Sequence, residues 1–172
     1  MNESEDIVLM NPDRIRRSCK RMAYEIAEAN PDNRPVMLFG IDQRGHATAL
    51  LLKNLLDPLF NDEVEVYPLS VKTDGSEGIP DFSGRQEKAF TIVVDDVIFS
   101  GQTMFQALKK ITVNGGPSEI HTAVMIDRGH RKFPILAEFV GMTLPTKLNE
   151  HVSVVVEGKK LQKVILSNPA QR

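Results

Sequence analysis

Cysteine, long apolar runs and an excess of either charge are what this sequence lacks, and each absence narrows the problem. Cys19 is the only cysteine among 172 residues, which excludes an intrachain disulfide and any multi-cysteine zinc site. No apolar run approaches the ~20 residues that span a bilayer. The opening stretch, MNESEDIVLMNPDR, is acidic where a secretory leader is basic, and its apolar run Ile7–Met10 is too short for a leader core. A cytoplasmic protein without membrane contact is expected. With 21 Lys+Arg against 23 Asp+Glu the formal charge is −2, so no global field draws the chain to nucleic acid, and any RNA contact must come from a local patch. A G-x-x-x-x-G-K-[ST] run, a G-x-G-x-x-G run, internal repeats and heptads are also missing, which argues against a P-loop nucleotidase, a dinucleotide site and a coiled coil.

What is present is the composition of one packed domain, residues 1–172, with 41% hydrophobic and 26% charged residues. Asn11-Pro12-Asp13 reads as an N-cap followed by proline in the first helical turn. Ile15, Cys19, Met22, Ala23 and Ile26 then recur at helical spacing to about Ala29, and Cys19 on that stripe is expected in the core. Residues 36–41 are continuously apolar, as in a strand buried on both faces. A helix is predicted over 46–56, a strand over 64–71 with Pro68 suggesting an edge, and a long mobile loop over 72–88. A buried strand over 90–94 runs into Asp95-Asp96, followed by a helix over 104–111 and a strand over 120–126. Residues 152–156 and 161–166 read as a closing hairpin. This rhythm predicts an α/β fold, a mostly parallel twisted sheet flanked by helices, with ligands bound at the carboxyl ends of the strands.

Two segments put polar residues just past a buried strand. In Asp95-Asp96-Val97-Ile98-Phe99-Ser100-Gly101-Gln102-Thr103, a small hydroxyl-bearing turn opens a helix, so backbone N–H groups with the Ser100 and Thr103 hydroxyls can cradle a phosphate. The two carboxylates would repel that phosphate. They suit sugar hydroxyls and developing positive charge instead, so the pair of features expects a phosphorylated sugar. In Gly40-Ile41-Asp42-Gln43-Arg44-Gly45 a strand end, a cation and a glycine precede a helix, which suits backbone contact with pyrophosphate.

The Asp95–Thr103 segment closely resembles the PRPP-binding motif of type I phosphoribosyltransferases. The Gln43-Arg44-Gly45 loop resembles the pyrophosphate loop of the same enzymes. Asp127-Arg128-Gly129-His130-Arg131-Lys132-Phe133-Pro134, with Phe139-Val140-Gly141 and Leu144-Pro145-Thr146 beyond it, resembles the subgroup of bifunctional pyrimidine operon attenuation regulators and uracil phosphoribosyltransferases. The likeness runs from about residue 12 to 156.

The resemblance implies transfer of ribose 5-phosphate from PRPP to a pyrimidine base, uracil foremost, giving UMP and pyrophosphate. Asp95, Asp96 and Arg44 would be catalytic, and Val97, Ile98, Phe99, Ser100, Gly101, Gln102 and Thr103 would hold the 5′-phosphate. Gln43, Arg44 and Gly45 would hold pyrophosphate with Mg²⁺. Arg128, Gly129, His130 and Arg131 would line the base pocket within a hood at about 128–150. It further implies a homodimer or higher assembly. Another base, or an RNA-binding regulator that senses UMP and PRPP, are the rival readings. For the regulator, Arg14, Arg17, Lys20 and Arg21 lie opposite the apolar stripe of the first helix, as a patch for RNA phosphates or simply a solvated face. His46, His121 and His151 show no ligand spacing, so no metal held by histidines is expected. Departures from the subgroup include Asp42-Gln43 where it usually has Lys-Thr, Gln102 where it has Arg, a poor match at Lys72-Thr73-Asp74, and Met142 where it has Lys. All are losses of positive charge near a polyanion, implying weaker PRPP binding or slower turnover.

Overall fold

The computed structural model describes residues 6–74, 78–84, 86–113 and 115–168. Five strands, β2 (Val36–Ile41), β3 (Glu65–Leu69), β4 (Phe90–Ile98), β5 (Ile120–Asp127) and β6 (Phe139–Thr143), form one parallel sheet in the order β3-β2-β4-β5-β6. Three further strands, β1 (Ile7–Met10), β7 (His151–Glu157) and β8 (Lys160–Ser167), make an antiparallel sheet in the order β1-β8-β7. The helices are α1 (Pro12–Ala29), α2 (Asp42–Leu56) and α3 (Gln102–Thr112), with a 3-10 turn at Asp57–Leu59.

The central sheet is buried on both faces because its strands alternate between two apolar layers. Val36, Leu38, Ile92 and Val94 face the layer that holds Ile15, Cys19, Met22 and Ile26 of α1 and Ala49, Leu52 and Leu56 of α2. Met37, Phe39, Ile41 and Val93 face the layer that holds Met104, Ala107 and Ile111 of α3. α1 starts as its cap predicts: Asn11 Oδ1 accepts the Arg14 N–H at 2.9 Å. Cys19 is buried, and burial pushes its thiol up to about 12, which makes it an inert core residue.

The strand order reverses between β2 and β4: β3 lies on one side of β2, and β4, β5 and β6 follow on the other. A crevice therefore opens at the carboxyl ends of β2 and β4, the ends from which α2 and α3 start.

Several boundaries differ from the sequence reading. α2 starts at Asp42 rather than at 46, because Asp42 takes φ +48 and turns strand into helix in one residue, so Gln43, Arg44 and Gly45 sit in its first turn. β4 continues to Ile98 and contains both acids. α3 starts at Gln102. The apolar run Ile7–Met10 forms β1, and β6 lies within the expected hood at 128–150, where the sequence reading predicts no strand. β6 packs tightly on β5: a Cβ at Gly141 would stand 2.5 Å from the Met125 carbonyl oxygen. Of the expected loop 72–88, residues 75–77 and 85 lie outside the described residues, while Ile79 and Phe82 pack on the core and the Phe82 ring lies 5.8 Å from that of Phe39.

Candidate active site

Two contiguous cavities occupy the crevice. The larger, about 360 Å³, is lined by Ile41, Asp42, Gln43 and Arg44 of the β2–α2 turn, by Lys72, and by Asp95, Asp96, Val97 and Thr103. The smaller, about 200 Å³, is lined by Asp95 and the run from Val97 to Met104. They share Asp95, Val97 and Thr103. A wider cavity of about 480 Å³ touches Pro35, Met37, Glu65 and Ala89. It lies at the opposite, amino ends of the strands, where no helix N-terminus faces it.

Asp95 is 7% exposed, and its carboxylate accepts the Asp96 N–H at 2.8 Å. Burial, then the adjacent Asp96 carboxylate, push its pKa well above the ordinary carboxylate range. The half-buried Asp96 shares the larger cavity. A buried carboxyl beside a half-buried one is suited to hydrogen-bonding hydroxyl groups and to facing a cationic centre.

The two helix mouths give the crevice its anion chemistry. At α3, Gly101 takes φ +84, no acidic side chain occupies the first turn, and Ser100 Oγ accepts the Gln102 N–H at 3.3 Å. At α2, close backbone approach demands glycine: a Cβ at Gly45 would lie 2.7 Å from the Val94 carbonyl oxygen and 3.3 Å from Asp95 Cα, and one at Gly40 would lie 2.4 Å from His46 Cα. α2 is thereby pressed onto β4 at the position of the twin acids. Asp42 stands in its first turn, so three carboxylates and two cations, Arg44 and Lys72, surround the larger cavity.

The segment after β5 buttresses the smaller cavity. Arg128 N donates to Ile98 O at 3.0 Å, and Lys132 N and Phe133 N donate to Ser100 O at 2.9 and 3.0 Å. The Arg128 guanidinium is turned to Thr146 Oγ1 (2.8 Å) and Glu150 O (2.6 Å) and lies 4.4 Å from the Phe99 ring centre. Arg131 is likewise occupied by protein acceptors, Asp127, Phe99 O and Ile135 O. Both cations, expected to line a base pocket, are spent in these contacts. His130 Nε2 meets Thr146 O at 2.5 Å, and its ring lies 5.3 Å from that of Phe99; a Cβ at Gly129 would meet nothing within 4 Å.

On α1, Arg17 and Lys20 are exposed. Arg21 donates to Val140 O (2.9 Å) and Gly141 O (2.7 Å) of the edge strand β6 and pairs with Glu25, and Arg14 donates to Leu9 O at 3.0 Å. Half of the expected basic patch is thus tied to the fold.

Asp42 and Lys72, both departures from the subgroup expected near the polyanion, line the larger cavity. Sequence reasoning missed Asp127 as the partner of Arg131, for which the spacing Asp127-x-x-x-Arg131 was the available signal.

Parallel sheet, reversed strand order and two helix mouths around a pair of acids define a phosphoribosyltransferase, and residues 9–158 match the phosphoribosyl transferase domain model. The chain belongs to that family. Its relatives include proteins named bifunctional protein PyrR: that of Herpetosiphon aurantiacus is 39% identical over 155 residues, covering 85% of this chain and 87% of the relative. That of Staphylococcus haemolyticus is 30% identical over 173 residues, covering 92% and 97%. Among solved structures, the hypoxanthine phosphoribosyltransferase of Trypanosoma cruzi superposes with a TM-score of 0.73 at 18% identity, covering 94% of this chain and 96% of that one. At that identity the likeness speaks for the fold. The chain is a glycosyltransferase of the phosphoribosyltransferase class. Among the described residues no helix is long and apolar enough to cross a membrane.

Proposed function

We propose that this protein transfers the ribose 5-phosphate of PRPP to uracil, releasing UMP and pyrophosphate, within one domain in the cytoplasm. The observation that carries the reading is the pair of joined cavities, one at each helix mouth, meeting at Asp95. A sugar that bears a phosphate at one end and a diphosphate at the other would fill both and bring its ribose to the two acids.

In this arrangement the N–H groups of Val97 to Thr103 and the Ser100 and Thr103 hydroxyls hold the 5′-phosphate. Gln43, Arg44 and Gly45 hold the diphosphate at the α2 mouth. Asp95 and Asp96 accept hydrogen bonds from the ribose hydroxyls and face the positive charge that grows on the ring as the bond to diphosphate breaks. The base enters from the side of Gly129 and His130, with Arg128 and Arg131 shaping the wall behind it. Residues 72–88 would close over the crevice and exclude water; Lys110 holds the start of this stretch through Ser70 O and Thr73 O.

The donor set suits Mg²⁺. Asp42, Asp95 and Asp96 are hard oxygen donors around one cavity, yet among the described residues no group of three or more His, Cys, Asp or Glu is set to hold a metal ion. The ion would be shared with diphosphate oxygens and water, and it would neutralise the departing diphosphate.

The test is uracil-dependent release of pyrophosphate from PRPP with Mg²⁺, with hypoxanthine, guanine and orotate run in parallel. Release with uracil alone supports the reading, and release only with another base replaces uracil. The exposed cations Arg17 and Lys20, with Arg14 and Arg21 beside them, favour RNA binding as a second activity. A pyrimidine leader transcript should then bind with steep salt dependence, and Arg17→Ala with Lys20→Ala should flatten the slope. Self-association into a dimer or higher assembly would cover exposed apolar groups such as Phe105, 39% exposed and stacked on Phe133; sedimentation velocity measures it.

A further inference from the structure

The phosphate loop is a set of aimed peptide planes. Ile98, Phe99 and Ser100 each have their carbonyl oxygen bound by the segment after β5: Ile98 O by Arg128 N (3.0 Å), Phe99 O by Arg131 Nη1 (2.9 Å), and Ser100 O by Lys132 N (2.9 Å) and Phe133 N (3.0 Å). In a planar trans peptide the carbonyl and the following N–H point in opposite directions. Fixing these three carbonyls outward therefore fixes the N–H groups of Phe99, Ser100 and Gly101 the other way, toward the cavity that these residues line. Concave arrays of such N–H groups are what bind anions.

Three of the four restraints are backbone bonds. The one at Phe99, in the middle, comes from a side chain 32 residues away. The Arg131 guanidinium is itself held by three other acceptors, Asp127 Oδ2 at 2.8 Å, Ile135 O at 3.0 Å and Gly129 O at 3.3 Å. The second oxygen of Asp127 accepts the Gly129 N–H at 2.9 Å, so the same carboxylate also shapes the turn expected beside the base.

We propose that Arg131, anchored by Asp127, is a positioning residue for the phosphate loop, and that it couples the base side of the crevice to the grip on the 5′-phosphate. The assignment rests on the phosphoribosyl transfer reading above. Arg131 touches no substrate in this role: it keeps the Phe99 carbonyl out of the cavity, where its negative end would oppose a phosphate. The planar guanidinium spreads its donors over four acceptors, Phe99 O, Gly129 O, Ile135 O and Asp127 Oδ2, a fixed fan that a lysine ammonium, with all its donors on one atom, does not reproduce.

The experiment compares two ligands by calorimetry, ribose 5-phosphate for the α3 mouth and pyrophosphate with Mg²⁺ for the α2 mouth, on the wild-type chain, Arg131→Gln, Arg131→Lys and Asp127→Asn. Arg131→Gln should weaken ribose 5-phosphate about tenfold and pyrophosphate less than twofold. Asp127→Asn, which keeps the size of the side chain, should show the same selectivity at smaller amplitude, and Arg131→Lys should recover only part of the loss. In turnover assays the KM for PRPP should rise more than kcat falls. If Arg131→Gln does not fold, the selectivity of Asp127→Asn decides. Unchanged ribose 5-phosphate binding in the folded variants, or equal weakening of both ligands, would overturn the role of Arg131. A wild-type chain that binds neither ligand would overturn the transfer reading, and this inference with it.

Discussion

The two strand-to-helix turns of this crevice present helix N-termini to anions in opposite electrostatic styles. At the β4–α3 turn, glycine supplies the left-handed residue, Gly101 at φ +84, and the first turn of the helix holds no acid. At the β2–α2 turn the left-handed residue is Asp42 at φ +48, an acid in the first turn. The first mouth has no acid in its helix turn and is framed by neighbours, with N–H groups and hydroxyls around a cavity that Asp95 closes at one end. The second is crowded and carries a carboxylate where a diphosphate would arrive, so its anion affinity must depend on Arg44, Lys72 and a counter-cation. On the proposed assignment, the monophosphate mouth would work alone and the diphosphate mouth would need a cation.

The largest test of it removes the two acids, one of which, Asp95, lines both cavities. Asp95→Asn combined with Asp96→Asn should lower pyrophosphate release by about a hundredfold or more, with weaker ribose 5-phosphate binding by calorimetry, because both acids face the ribose hydroxyls. Next come the glycines. Gly45→Ala drives a Cβ to 2.7 Å from the Val94 carbonyl oxygen, and an overpacked core site of this kind costs about 1–3 kcal/mol. Gly101→Ala meets Ile135 only at 3.4 Å, so its cost is mainly the left-handed backbone, about 1 kcal/mol. Urea denaturation should rank them in that order; equal losses would erase the difference in crowding.

A smaller effect probes charge. Asp42→Asn should strengthen pyrophosphate binding several-fold without Mg²⁺ and narrow the gain on adding it, with ribose 5-phosphate unmoved. The smallest concerns pH. Asp95 titrates above its unfolded value of 3.8, so between that value and its raised one the folded state holds the extra proton, and stability falls as pH rises through the window. Asp95→Asn removes the penalty. Its melting temperature relative to the wild type should climb as pH rises above 3.8, and a difference independent of pH would contradict a carboxyl whose pKa burial raises.

Much of this site was legible in the residues themselves. The apolar runs at 36–41 and 90–94 marked the central strands, and the acids with Ser100, Gly101 and Thr103 marked a turn built for a phosphorylated sugar. Those signals are local, since burial shows as unbroken hydrophobicity and turn chemistry as glycine and hydroxyls within a few positions. Other features were hidden. β6 reads as irregular because a short edge strand has little periodicity, and the restraints on α1's Arg21 and on Arg131 depend on partners 119 and 32 residues away.

The sequence by itself determined the alternation of strands and helices, the buried centre of the sheet and the chemical character of the phosphate turn, because propensity, patterning and capping act over a few neighbouring residues. The tertiary structure alone decided that β1 joins the closing hairpin, that β6 adds a fifth parallel strand, and that the Arg128 and Arg131 guanidiniums turn to protein acceptors. Those outcomes follow from which distant backbone acceptors packing brings within reach of each charged side chain, and no short window of sequence contains them.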